Sequence, residues 1–428
     1  KVSLLQGTQL SRIARRQPQD LVAHYVRANT EAQAWVEQFC AGSGVAVQHR
    51  PAYTYASSDK GALSARSELE VARGAGLPVS WIDRPSLELA THGAVLLPDQ
   101  LQLDPVELLA ALAREATAQG VHLLEGVRVR GVDDHDPYLV RTDHGDTRAT
   151  TVVLATNAPL LDRGGFFARV EAARSYGLAF RTPDRAVDGM YLSAETPSRS
   201  LRDTPSEDGS LLLVGGNGHP TGREHSATER LDTLRRWTAE HFPATEEVSA
   251  WSAQDYVTHG GLPYAGPVLP GTDHLLMAGG YSKWGMTNGV AAAHAIAARV
   301  MGDPPAWAGA FSTWSRRLPK GALDAVRANA GVALQMGAGW VRPALHPGSG
   351  SPAEGEGEVR LDRAAPPTAV STTDGALRRV SGVCTHLGGI VNWNDAERSW
   401  DCPLHGSRFS PDGQVLDGPA TCGLRRRD

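Results

Sequence analysis

The stretch "VCTHLGGIVNWNDAERSWDCPLHGSRF", residues 383–409, carries two Cys–His pairs, Cys384 with His386 and Cys402 with His405, fifteen residues apart. Each pair lies in a loop rich in glycine or proline, "CTHLGG" and "CPLHG", short enough for both ligands to converge from one backbone turn. A structural Cys₂His₂ zinc site usually draws its cysteines from one knuckle and its histidines from a helix. Here each loop brings one of each, and Cys–x–His is too tight for that helix. The other reading is a [2Fe–2S] cluster in which histidine replaces cysteine on one iron, with each loop supplying one thiolate and one imidazole.

The rest of the chain bounds what such a centre serves. At 428 residues it is too long for one ordinary core, so two or three domains are expected. An apolar share of 41% with 21% charged residues describes a globular protein. A net charge of −5, spread without a basic block, argues against nucleic acid as a partner, and "LRRRD" at the end reads as a solvated tail. No apolar run reaches the length of a transmembrane helix. Four cysteines do not make a disulfide framework, and two of them stand beside histidines, which points to metal in a reducing, cytoplasmic compartment. The chain begins at Lys1 without a signal pattern, so a fragment is expected.

The periodicity is helical over "PQDLVAHYVRANTEAQAWVEQFC", with Gly42 as its stop and Cys40 as a small buried hydrophobe. "PAYTYASS" alternates as a strand, and "SELEVARGAGL" is a charged helix. In "LDPVELLAALAREATAQG" Asp104 is an N-cap, Pro105 the first helical residue and Gly120 the stop. "VHLLEGVRVRGVD" and "PYLVRTDHG" read as strands and "ATTVVLATNAP" as a buried one, a crossover unit of an α/β domain. Residues 165–260 read as an antiparallel sheet with a covering helix, and "HLLMAGGYSKWGMTNGVAAAHAIAARVMG" returns to strand, glycine loop and helix. Residues 341–358 are the expected linker.

"CTH", fifteen residues, then "CPLH" followed by Gly406 and Ser407 resembles the Rieske pattern. The resemblance implies that Cys384 and Cys402 ligate one iron, and His386 and His405 the other. High-potential members of that family carry an extra cysteine in each loop, where this chain has Gly389 and Leu404; a tyrosine near the cluster is replaced by Phe409, while Ser407 remains. Fewer hydrogen bonds to the sulfurs imply a middling or low potential. Cys422 reads as a bystander.

Such a cluster moves one electron, and a flavin is the usual converter from hydride to single electrons. The one internal candidate for a nucleotide fingerprint, "VGGNGHPTG" at 214–222, enters a proline and reads as a hairpin loop. Pieces from residue 95 to 302 instead resemble, in order, the glycine and D-amino-acid oxidase group of FAD-dependent oxidoreductases, and their union with a Rieske module resembles a bacterial subgroup of that layout. By that resemblance the fold is α/β plus α+β over residues 1–340, with a Rossmann-like but incomplete FAD-binding domain (about 95–160 and 262–305). An antiparallel-sheet substrate domain (about 45–94 and 165–261) is interleaved with it, and a small all-β Rieske domain follows over 359–428. The family's first strand and glycine fingerprint are expected to lie before Lys1. The candidate FAD-binding residues are Thr156, on the strand "TVVLATNAP", and Gly279, Gly280, Lys283, Trp284, Gly285, Met286 and Thr287, in a glycine loop that opens a helix whose positive end suits a reduced flavin.

The function implied is a flavin-dependent dehydrogenase. It would oxidise an amine or amino-acid-like substrate and send electrons singly through the [2Fe–2S] cluster to a carrier protein or quinone-like acceptor. A nicotinamide-dependent reductase, or an electron carrier or sensor without flavin chemistry, are the alternatives. Tyr53, Tyr55, Arg174, Tyr176, Tyr191, Tyr256 and His259 are polar groups on the substrate-side elements, and no catalytic base is evident.

Overall fold

The structure is a computed structural model that describes residues 1–428 except 159, 183, 207–208, 225, 244, 315–329, 333, 338, 341–349, 362–365 and 428. Its largest element is an eight-stranded sheet in the order Glu246–Thr258, Val170–Thr182, Gly209–Pro220, Arg199–Ser206, Met190–Ser193, Val47–Tyr55, Ala94–Leu103 and Ser80–Ile82. All its pairs are antiparallel except Val47–Tyr55 with Met190–Ser193.

The period of two along these strands divides the core. Tyr176, Leu178 and Phe180 pack with Tyr53, Tyr55, Tyr191, Leu201, Leu212 and Val214 against Leu234 of the helix Ala227–His241. Ala52, Val95, Leu97 and Met190 pack instead with Leu10, Ile13, Tyr25, Leu69, Ala291, Ile296 and Phe311. Each large apolar side chain buried this way contributes about 1.5–3 kcal/mol. In the second group lie the helices Gln19–Ser43 and Gly285–Met301, which pack on one another. Gly44, at φ 75, ends the first of them, two residues beyond the expected Gly42.

The α/β unit is a three-stranded sheet in which Leu275–Gly279 runs parallel to Val152–Asn157 and antiparallel to Tyr264–Pro267. Helix Pro105–Ala118 begins as its sequence dictates, with the Asp104 side chain accepting from Val106 N at 2.7 Å. The strand expected across residues 121–126 does not form; pairing starts at Val129. No described strand lies beside that segment, and Val121, Leu123 and Leu124 stay exposed, so its backbone has no ladder to join. Residues 214–222 are not a hairpin loop: residues 214–220 continue the strand Gly209–Pro220 through an irregularity between Gly216 and His219, and Thr221 and Gly222 turn after it. A Cβ on Gly216 would lie 2.4 Å from Ser198 O, so close strand packing explains a glycine there.

The C-terminal domain is two small antiparallel sheets, Gly357–Arg360 with Thr368–Thr373 and Ala376–Ser381, and Asn392–Asn394 with Ser399–Asp401, Arg408–Phe409 and Val415–Asp417. Between them Trp400, Phe409, Val380, Val391 and Leu424 bury the two cysteines Cys384 and Cys402. The arginine tail is ordered, not merely solvated: Ser381 N donates to Arg425 O at 2.7 Å and Arg427 N to Arg379 O at 3.0 Å. Of the expected linker, residues 341–349 lie outside the described residues, and strand pairing begins at Gly357. No helix among the described residues is long and apolar enough to cross a membrane.

Candidate functional site

The two Cys–His loops close in the same way. Cys384 N donates to Gly389 O at 2.8 Å and Gly388 N to Cys384 O at 3.1 Å; Cys402 N donates to Ser407 O at 2.8 Å and Gly406 N to Cys402 O at 3.1 Å. Gly388 and Gly406 take φ 73 and 80, the left-handed turn that a side chain resists. This repeated turn brings like groups together. The two thiols share a hydrogen bond, which with backbone donors pulls Cys384 down to about 7, while the same bond and burial push Cys402 up. The two imidazoles meet edge to face with ring centroids 5.1 Å apart.

That arrangement fits a two-iron cluster. His405 Nδ1 is buried without a hydrogen-bond partner, and burial holds the imidazole neutral by lowering its pKa to about 4. A buried nitrogen left unpaired is costly unless a ligand takes it. His386 uses Nε2 for a protein contact, which leaves Nδ1 for a metal. A pair of thiols beside a pair of imidazoles would suit two irons, one held by each pair. Ser407, fully buried, hydrogen-bonds Cys384 and accepts from Ala420 N at 3.0 Å. Phe409 is also fully buried, and has no polar group to offer the sulfurs.

The second ligand loop is fastened to the large sheet. Gln254 Nε2 donates to Gly406 O at 2.8 Å, Arg223 Nε to Pro403 O at 3.0 Å and Tyr256 OH to Gly418 O at 3.0 Å. Arg174, 1% exposed, pairs with Glu397 and donates to Ser252 Oγ. Asp395 caps the helix Ala227–His241, accepting from Ala227 N at 2.7 Å and Thr228 N at 3.1 Å. Of the polar residues read as substrate-side, Arg174 and Tyr256 therefore serve this interface. Tyr53, Tyr55, Tyr176 and Tyr191 are core residues under the helix Ala227–His241, and His259 N donates to Arg169 O.

The glycine loop after Leu275–Gly279 turns through Ser282 and Lys283, both at positive φ (54 and 70), into the helix Gly285–Met301. Its anchor is a pair of residues that sequence reasoning missed. Asn157 Oδ1 accepts from Gly280 N at 3.0 Å, its Nδ2 donates to Asp255 at 2.6 Å, and Asp255 also accepts the Lys283 N–H. Gly279 and Gly280 each have a protein reason to lack a side chain, since a Cβ would lie 2.6 Å from Asn157 O and 2.4 Å from Thr258 respectively. Lys283 is solvent-accessible yet walled in, and that desolvation lowers its ammonium pKa. A Cβ on Gly218 would sit 2.6 Å from its Nζ, so the ammonium stands over the sheet. Trp251 lies over Gly177 on the same face as Asp255 and stays 45% exposed. Trp284 takes the N-cap position without a side-chain cap, Gly285 and Met286 open the first turn, and Thr287 Oγ1 accepts from Gln6 Nε2 at 3.1 Å. Thr287 N already donates to Trp284 O at 3.2 Å, so it is the N–H groups of Gly285 and Met286, ahead of it, that are placed to favour an anionic ligand. Thr156, exposed, lines a separate cavity of about 480 Å³ with Gly126, Val129 and Gly418 to Thr421.

Comparison with known proteins agrees with both halves. The FAD dependent oxidoreductase family profile matches residues 7–299, and that of the Rieske [2Fe-2S] domain matches residues 352–426. A Bacillus subtilis (strain 168) protein, YhfW, named as a Rieske 2Fe-2S iron-sulfur protein, is 31% identical over 381 residues, 88% of this chain and 74% of that protein. The cytochrome b6-f complex iron-sulfur subunit of Chlorobaculum thiosulfatiphilum is 46% identical over 52 residues, 12% of this chain and 29% of that one. Glycine oxidase from Geobacillus kaustophilus superposes with a TM-score of 0.59 at 22% identity, over 68% of this chain and 83% of its own. L-Proline dehydrogenase from P. horikoshii gives 0.57 at 17%, over 67% and 82%. At these identities the two solved structures speak for the fold.

Proposed function

On the premise that this chain belongs to the FAD-dependent oxidoreductase family and ends in a Rieske [2Fe-2S] domain, we propose that it is a dehydrogenase of a small amine or amino-acid-like substrate. In this reading the electrons leave one at a time, through the cluster, to an external carrier protein or quinone-like acceptor. Bound FAD supplies hydride chemistry, and the cluster supplies one-electron chemistry. Cys384, Cys402, His386 and His405 would hold the cluster. Gly279, Gly280, Lys283, Trp284, Gly285, Met286 and Thr287 would form the loop and helix end facing the flavin, with Thr156 on the strand beside it.

The observation that carries the reading is the fastening of the second ligand loop to the same strand that fixes the flavin loop. Gln254 and Tyr256 bond the cluster domain, while Asp255 between them bonds Lys283. One extended segment thus joins both candidate cofactor sites. The substrate class is supported by the oxidase and dehydrogenase folds that the chain resembles. Lys283 and Trp251, on the open side of the sheet, are its candidate contacts: an ammonium for a carboxylate and an aromatic face for the remainder. All four cysteines are free of disulfides, which supports a reducing, cytoplasmic setting.

The test is anaerobic mixing of the full-length holoprotein with a panel of amino acids and secondary amines, following flavin bleaching and the cluster EPR signal together. A substrate that bleaches the flavin and then reduces the cluster supports the proposal. Flavin bleaching with the cluster still oxidised would overturn the electron route.

A further inference from the structure

The segment after the strand Val152–Asn157 packs one side chain into the large domain and turns two others to the cluster loops. It is the short 3₁₀ turn Arg163–Ala168, entered from Asp162. Phe166 is buried beneath Arg169 and Tyr264, and a Cβ on Gly164 would lie 2.7 Å from Val268 O, so the turn is held firmly to the large domain. The next residue, Phe167, faces the other way. Its ring meets the His386 imidazole edge to face at 5.7 Å and that of His405 at 5.1 Å. Asp162, at the turn's entry, places Oδ1 2.6 Å from His386 Nε2. His386 is left with 6% of its side chain exposed.

We propose that this turn clamps the histidine edge of the cluster and that Asp162 is a positioning residue for it. Its carboxylate orients the His386 imidazole and biases the cluster toward its oxidised state. The inference rests on His386 as a cluster ligand. The imidazole N–H that points away from iron is the atom through which a neighbour sets ligand basicity. A carboxylate there stabilises the more positive, oxidised centre, so it lowers the reduction potential. The electron added on reduction leaves the cluster negative, and a like charge held this close shifts such an equilibrium by about tenfold. With Phe167 covering both rings, an external acceptor cannot reach the imidazoles.

The variants are Asp162→Asn, which keeps an acceptor and removes the charge, Asp162→Ala, which removes both, and Asp162→Glu, which restores the charge. The readout is the midpoint potential of the cluster in the holoprotein, from an EPR-monitored dithionite titration at fixed pH. The expected result is a shift of the oxidised-to-reduced ratio toward reduction of about tenfold in Asp162→Asn, 59 mV for one electron. The alanine variant should shift at least as far, and the glutamate variant should lie near the wild type. Unchanged potentials in both the Asn and Ala variants, or a fall in either, overturn the proposal. Asp162→Asn is nearly isosteric on a half-exposed side chain, so it reports even where the alanine variant fails to fold. A wild-type holoprotein without a histidine-ligated cluster signal would remove the ligand assignment itself, a failure visible before any variant is compared.

Discussion

Gly222→Ala tests whether the ligand domain is seated on the sheet as the structure has it. Gly222 follows the strand Gly209–Pro220 at φ 70, and a Cβ there would lie 2.8 Å from Pro403 N and 2.9 Å from Asp401 O and Cys402 C. These are backbone atoms of the second ligand loop and cannot rotate aside. The left-handed conformation costs an alanine about 1–2 kcal/mol, and the overlap adds about 1–3 kcal/mol. Gly76→Ala is the control: its φ is 91 and nothing lies within 4 Å of its Cβ, so it carries the backbone cost alone. Urea unfolding of the two variants should therefore differ by about 1–3 kcal/mol. Hydrogen exchange should rise across residues 401–407 in Gly222→Ala alone, because Cys402 N and Gly406 N lose their closed turn when the loop is pushed off. Equal destabilisation, with exchange in that loop unchanged, would refute the seating.

Two further outcomes follow from single buried groups. Glu68, fully buried, accepts from Leu10 N at 3.0 Å and Ser11 N at 2.7 Å, and burial raises its pKa to about 7 from 4.5. Because the folded value is the higher one, its contribution of about 3 kcal/mol is complete below the unfolded value and is lost as pH rises through the folded one. Urea midpoints should decline across that window and flatten in Glu68→Gln; parallel pH profiles would contradict this. Ser407→Ala removes a hydrogen bond to Cys384 worth about 1 kcal/mol. Such bonds favour the reduced cluster, so the potential should fall by about 40 mV in an EPR-monitored titration; no change would show that the bond does not tune it.

What the sequence made legible was local. The Cys–His loops, the Asp104 cap and the strand–glycine loop–helix ending in Met301 are each specified within a few consecutive residues. Partners remote in the chain were not legible. Asp162 and His386 lie 224 positions apart, and nothing in "LLDRGG" marks an aspartate destined for an imidazole. Asn157 and Asp255 lie in the unremarkable stretches "LATNAP" and "WSAQDY", and their knot with Gly280 and Lys283 depends on which strands meet. The place of the tyrosines was not legible either: alternation shows that a strand has two faces, not which one a helix covers. Tyr176 and Tyr191 point toward the helix Ala227–His241, whereas Trp251 takes the open side. Residues 121–126 misled for a related reason: apolar residues in sequence suggest a strand, but a ladder needs a neighbour.

The most direct test of the central claim, a flavin and a histidine-ligated cluster in one electron-transfer unit, is made on the purified full-length protein. Its flavin, iron and acid-labile sulfide contents are measured, and the reduced cluster is examined by nitrogen ENDOR. The account predicts bound FAD, one [2Fe–2S] cluster per chain and couplings from two imidazoles, with both couplings lost in a His386→Ala, His405→Ala double variant. A colourless protein holding zinc, or a cluster without nitrogen couplings, would contradict it.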